Sequence, residues 1–193
     1  GIDLFIGIDV GGDVLARGDE EGLHSMLADS MVLAAMTQLN TPNILGVLGF
    51  GADGELELDK LLENTAEIAS KGGYLGARGL TQEDLSALED VIGKTKTEST
   101  ALAVRAARGE MGEIEIRGGF RSVYLNPISS VTFHFNPKVV LEEISMIGKE
   151  LIPTKSLDEA QEILVENEVP SELTFERDYV WKDYTETDEL FEG

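Results

Sequence analysis

Two short apolar runs, each broken off by glycines and carboxylates and each followed by a helical pattern, constrain this chain more than any other feature. The first is I-G-I-D-V-G-G-D at residues 6–13; the second is L-G-V-L-G-F-G-A-D-G-E at residues 45–55. A strand that ends this way and leads into a helix is the repeating unit of α/β folds, whose parallel strands are joined by right-handed crossovers. Ligands of such folds sit in the crevice outside the carboxyl ends of the strands. The expectation is therefore a Rossmann-like layered α/β fold with a mostly parallel sheet and a ligand at these two loops.

Residues 3–10 are apolar on both alternating faces and read as a buried parallel strand. Ser25 stands where a helix cap would, and Met26, Leu27, Val32, Leu33, Met36 and Leu39 repeat at helical spacing up to Asn40. Ile44 to Leu48 form the second strand and Leu58 to Ala69 its helix, stopped at Gly72-Gly73. Residues 72–79, with glycines around Arg78, read as a lid or a plain connector. Thr81 with Asp84 makes a capping box for a helix ending at Gly93, and another helix spans Ser99 to Arg108.

From Glu113 to Phe135 the pattern alternates, giving a more β-rich C-terminal segment. Val139 to Ile147 fits a helix or a strand, and Ser156 caps a helix to about Asn167. The acidic tail beyond Pro170, with Phe175, Tyr179, Trp181 and Tyr184, is expected to pack in part and fray at its end. No linker interrupts this order, so residues 1–193 read as a single α/β domain. Because the chain opens on Gly1 and runs straight into a strand, it is expected to be a fragment lacking an N-terminal segment.

With 37 acidic residues against 15 basic ones, the formal charge of −22 repels phosphate backbones, and nucleic acid is not an expected partner. Solubility or adaptation to high salt accounts for the bias more simply than an acidic functional patch. No apolar stretch has the length of a membrane span, so a membrane is not an expected partner either. Zero cysteines exclude disulfides and thiolate metal sites and fit a reducing, cytoplasmic location. With His24 and His134 the only histidines, a bound metal should be a hard cation on oxygen ligands.

The candidate ligands follow from the strand ends. Asp9 and Asp13 share parity on one run, as do Asp53 and Glu55 on the other, and neighbouring strands lie about 5 Å apart. Four carboxylates converging on one edge raise one another's pKa or require a cation, for which Mg²⁺ or Mn²⁺ shared with phosphate oxygens is the common solution. Gly11, Gly12, Gly51 and Gly54 would let the backbone approach the ligand closely, and Arg17 and Arg78 would meet its anionic group. Asp-Gly and Gly-Gly-Asp also make ordinary turns, but two such junctions at successive strand ends favour a ligand site.

Gly49 to Gly54 formally matches G-x-G-x-x-G, yet Asp53 inside it would repel a pyrophosphate, which argues against a classical dinucleotide site. Asp29, one turn into the first helix, could point back to the site but reads more simply as an acid favouring the helix dipole, and His24 could be a general base but, with no visible acid partner, reads more simply as a surface histidine flanking the cap. Ser99 and Thr100 have no companions for a hydrolase triad.

The strings D-V-G-G-D-V-L-A at 9–16, L-A-D-S-M-V-L-A-A-M at 27–36 and G-x-x-G-F-G-A-D-G-E-L at 46–56 resemble an archaeal family of uncharacterised proteins, domain of unknown function 1152. The resemblance is close over roughly the first hundred residues and looser beyond. It implies an α/β fold and longer relatives of which this chain would be the C-terminal portion, and it implies no activity. The family's recurrent positions correspond to Asp9, Gly11, Gly12, Asp13, Asp53, Gly54 and Glu55.

The leading expectation is an enzyme acting on a small phosphorylated or nucleotide-like ligand, with a divalent cation on Asp9, Asp13, Asp53 or Glu55. The alternative is a non-catalytic metabolite-binding module, or an assembly module that forms a homo-oligomer through residues 113–135.

Overall fold

The computed structural model describes residues 1–95 and 97–175. The expectations for Tyr179, Trp181 and Tyr184 lie outside the described residues. The four-stranded main sheet has the order β1 (Phe5–Val10), β2 (Asn43–Leu48), β6 (Val131–Phe135), β3 (Tyr74–Gly79). Strands β4 (Gly112–Ile116) and β5 (Arg121–Leu125) form a separate antiparallel hairpin. Eight α-helices are found among the described residues: α1 (Met26–Thr37), α2 (Leu58–Ser70), α3 (Gln82–Ile92), α4 (Glu98–Ala107), α5 (Pro137–Glu143), α6 (Gly148–Leu151), α7 (Leu157–Glu166) and α8 (Glu172–Phe175). Past β6 every described element is helical, so the β-rich stretch is confined to 112–135.

The sheet is not mostly parallel. Only β1 and β2 run parallel, in register from Phe5 opposite Asn43 to Val10 opposite Leu48. β6 enters between β2 and β3 and is antiparallel to both. Alternation along Val131 to Phe135 marks a half-buried strand but carries no information about its neighbours, which are set by distant segments. The 72–79 stretch is neither lid nor connector; it pairs with β6 as an edge strand with an irregularity between Tyr74 and Gly76.

β1 is likewise an edge strand and not a buried one. Gly7 faces α1, where a β-carbon would stand 2.8 Å from Met36 Sδ. On the alternate face Ile6 and Ile8 are about half exposed and border a groove shared with Leu48, Arg78, Thr132 and His134.

One core gathers Leu27, Leu33 and Met36 of α1 with Leu61 and Ile68 of α2, Leu45 and Val47 of β2, and residues of α5, α6 and α7. A smaller cluster joins α4, through Leu102 and Ala106, to Ile116, Val123 and Leu125 of the hairpin and to Ala52 in the loop after β2. The loop that follows β2 is thereby held between two apolar bodies, which fixes it without regular structure of its own.

Local signals for the helices agree with their positions. Thr81 and Asp84 form a reciprocal capping box on α3, and Ser156 accepts from the Glu159 amide at the start of α7. Asn136 caps α5, so the ambiguous stretch after Pro137 is helical as far as Glu143 and a non-helical link from there to Ile147. Among the described residues no helix is long and apolar enough to cross a membrane.

Candidate metal centre

Because β1 and β2 are parallel neighbours, their carboxyl ends open on the same edge, and the two acidic junctions meet there. The Gly51 amide donates to the Gly11 carbonyl at 2.7 Å, and the Gly11 amide to Leu48 at 2.9 Å. Gly11 has φ +133° and Gly12 φ +120°, a region that side chains rarely adopt. A β-carbon at Gly12 would stand 2.7 Å from Leu61 of α2. Two sharp left-handed residues let the chain reverse against α2, and Asn64 secures the turn by donating to the Leu15 carbonyl at 2.8 Å. Asp13 is carried into the interior by this turn.

Asp9, at the end of β1, Asp13, in the turn, and Asp29, one turn into α1, bring carboxylate oxygens within 4.8 Å of one another. Asp53, on the loop after β2, adds a further charge beside them: it is 6% exposed, and its field acts on Asp9, Asp13 and Asp29. Its Oδ1 accepts from the Glu55 amide at 2.9 Å, whereas Oδ2 is buried with no hydrogen-bond partner. Asp9 Oδ2 is buried and unpartnered as well. A buried carboxylate oxygen that finds no donor is a costly arrangement, and nearby like charges make it worse.

The titration behaviour follows from that crowding. Burial, then the charges of Asp13, Asp29 and Asp53, push Asp9 well above its ordinary value. Asp13 is pushed up by burial and by Asp29 and Glu55. Asp13 and Asp29 are close enough to titrate as one pair, each pushed up first by its burial. Asp29 is raised to about 6, chiefly by burial, and Asp53 to about 7 by burial and by Asp13. Protons or a cation can neutralise such a cluster, and the two compete.

Glu55 is of a different kind. Its side chain is fully buried, yet its oxygens are satisfied: Oε2 accepts from the amides of His24 at 2.8 Å and Ser25 at 3.1 Å, and Oε1 from the Ser25 hydroxyl at 2.8 Å. Arg117 lies 3.3 Å and Arg121 3.8 Å from Oε1. Burial raises Glu55, but these hydrogen bonds and Arg121 outweigh it and hold the carboxyl below its ordinary value. Glu55 therefore anchors the segment that leads into α1, while the Leu27 and Ala28 amides of the first turn are taken by Glu172. Ser25 occupies the cap position without capping; its hydroxyl spans Glu55 and Asp13, the latter at 3.0 Å.

Neither arginine singled out in the sequence reaches the cluster by a recorded bond. The Arg17 guanidinium pairs with Glu67 of α2, and its amide donates to Glu20. Arg78 pairs with Asp84 at 2.9 Å beside the groove on the other face of the sheet. The arginines that do approach, Arg117 and Arg121, come from the hairpin and gave no local signal in the sequence. Arg121 also donates to the carbonyls of Gly54 and Gly22, each at 3.1 Å, tying the hairpin to both junction loops. Between hairpin and loops lies a cleft of about 610 Å³, bordered by Gly22, Gly51, Gly54, Glu55, Ser122 and Tyr124.

For Asp29 the sequence offers two readings, an acid pointing back to the site and, preferred as simpler, an acid favouring the helix dipole. Its signal was positional: an acid in the first turn of the helix that follows β1 faces the same edge as the strand end. The chemistry of the set, all carboxylates without imidazole or thiolate, suits a hard divalent cation such as Mg²⁺ or Mn²⁺.

No curated protein and no solved structure matches the chain. A family model described as "Protein of unknown function (DUF1152)" matches residues 1–180, nearly the whole chain and well past the first hundred residues where the motif strings are densest. With Asp9, Asp13, Asp29 and Asp53 all inside that span, the chain belongs to the DUF1152 family.

Proposed function

We propose that the protein is an enzyme acting on a small phosphorylated or nucleotide-like ligand, with a divalent cation held by Asp9, Asp13 and Asp29 and with Asp53 completing the negative wall. The observation that carries this reading is the pair of buried, unpartnered oxygens, Asp9 Oδ2 and Asp53 Oδ2, within one crowded set of carboxylates. The cleft beside Gly51 and Gly54 offers the ligand a place next to the same edge. The cation would neutralise the wall and polarise a phosphoryl oxygen. Glu55, Ser25, Arg117 and Arg121 position the two loops.

Calorimetry with Mg²⁺ and Mn²⁺ on the wild type and on the double variant Asp9→Asn, Asp53→Asn tests the centre. Uptake by the wild type that the variant loses supports it; no uptake by either overturns it. Turnover in a panel of phosphatase, kinase and cyclase substrates then separates an enzyme from a metabolite-binding module. An assembly role draws support from Phe120 and Tyr124 on the hairpin, 74% and 62% exposed. Light scattering decides that reading, since a monomer at working concentration removes it.

A further inference from the structure

On the sheet face opposite α1, a groove of about 360 Å³ runs between the strands and α3. Strand register sets its floor. His134 of β6 stands opposite Gly46 of β2 on one side and Gly76 of β3 on the other, so no side chain crowds the imidazole directly across either strand pair. A β-carbon at Gly46 would stand 2.4 Å from Ile8 Cδ1 and 3.3 Å from Thr132 Cγ2, which puts those two side chains beside the gap on the groove face. Gly76 is open, since a β-carbon there would meet no atom within 4 Å. Among the described residues nothing bonds to either ring nitrogen of His134.

The groove has a polar end and an apolar wall. Arg78, which the sequence marked for an anion, is in register with Thr132 and is therefore the diagonal neighbour of His134, a spacing of about 7–8 Å that lets both heads meet one small group. Arg78 donates to Asp84 Oδ2 through Nη2. The same oxygen accepts from the amide and the hydroxyl of Thr81, so its charge is divided among three donors and much of the guanidinium is left for another acceptor. Ile6, Ile8 and Leu48 form the wall, and Ile6 and Ile8 are 49% and 53% exposed. In a chain with 15 basic residues against 37 acidic ones, a guanidinium and an unbonded imidazole set against such a wall select for an anion with an apolar body.

We infer that this groove binds a small carboxylate carrying a hydrocarbon chain, with the carboxylate bonded to Arg78 and His134 and the chain laid over Ile6 and Ile8. A carboxylate has two acceptor oxygens and a single charge, which suits two donors with Asp84 nearby. A phosphate dianion would meet more repulsion from Asp84 and has nothing to cover the isoleucines. The site shares no residue with the metal centre and stands or falls apart from it.

Calorimetry with octanoate, and with octanol as its uncharged counterpart, on the full chain of the wild type and of Arg78→Gln tests the inference. The wild type should bind octanoate, and octanol about tenfold more weakly; Arg78→Gln should lose about tenfold in octanoate affinity and keep its affinity for octanol. In the wild type the ring resonances of His134 and the methyl resonances of Ile8 should move together as octanoate is added. That measurement decides the placing alone if the variant fails to fold. Equal affinity for octanoate and octanol, unchanged octanoate affinity in Arg78→Gln, or unmoved His134 and Ile8 resonances overturns the inference. So does a dimer in light scattering whose His134 ring octanoate cannot reach, because a second copy of the chain would then be the occupant. No metal is added in any of these measurements, so none of the outcomes depends on the aspartate cluster.

Discussion

The carboxylate of Asp53 lies directly over the α-carbon of Gly11, so closely that a β-carbon at Gly11 would stand 1.9 Å from Asp53 Oδ2. The two residues belong to different junctions, and their contact is what brings the acidic loops into one site. Gly11 also has φ +133°, where any side chain is strained. Gly11→Ala should therefore destabilise the fold by about 3 kcal/mol or more, from strain and collision together. Urea denaturation measures it, and stability equal to the wild type would contradict the packing described.

Asp53→Asn should have opposite effects with and without metal. Asparagine keeps the acceptor for the Glu55 amide and removes a buried charge that Asp9, Asp13 and Glu55 repel. In EDTA the variant should be more stable than the wild type, by about 1–3 kcal/mol. In Mg²⁺ the wild type should gain melting temperature and the variant should gain little. Thermal melts of both proteins under both conditions give the four values, and a variant less stable in EDTA would sink the prediction.

The parts of this site differ in how legible they are in the sequence, and the difference is one of range. The Gly11-Gly12-Asp13 turn and the Gly51 to Glu55 loop announce themselves because turn chemistry is local. The capping box of α3 and the Ser156 cap of α7 are local too. The place of β6 between β2 and β3 is not, since a five-residue alternating run such as Val131–Phe135 can pair with several partners. Arg17 and Arg78 looked free only because Glu67 and Asp84 were not known to face them. Asp29 was hidden by a sufficient local explanation, its fit to the helix dipole, and Glu55 was read as a ligand because nothing nearby shows that its oxygens are needed by His24 and Ser25.

Acidity should control both stability and metal uptake. Asp29 at about 6 and Asp53 at about 7 hold their protons more tightly in the fold than an unfolded aspartate with its value of 3.8. Between those limits these two groups hold more protons in the folded chain than in the unfolded one, so their contribution to stability without metal falls as pH rises from about 4 to 7. The difference between wild type and Asp53→Asn isolates the contribution of the cluster. Metal binding must release these protons, so affinity should climb across the same interval. Calorimetry in two buffers of different ionisation enthalpy at pH 6 reads the release directly, and zero proton release would count against the assigned shifts.

Glu55→Gln and Asp9→Asn separate the loop anchor from the ligands. Every bond recorded at the Glu55 carboxylate comes from a donor: two amides, one hydroxyl and the neighbouring guanidinium of Arg117. A glutamine amide turns one acceptor into a donor and leaves Arg121, only 10% exposed at its side chain, facing a neutral group. Loss of a buried charged acceptor of this kind costs about 3 kcal/mol. The aspartates keep their places on β1, the turn and α1, so Mn²⁺ affinity should fall only a few-fold in Glu55→Gln provided it is measured below the melting transition. Asp9→Asn should do the reverse, removing an unpartnered charge at little cost to the fold while lowering Mn²⁺ affinity by about 10- to 100-fold. Calorimetry and urea melts on the two variants together decide the assignment, because equal losses of metal affinity would return Glu55 to the ligand set and withdraw its role as the anchor of the segment leading into α1.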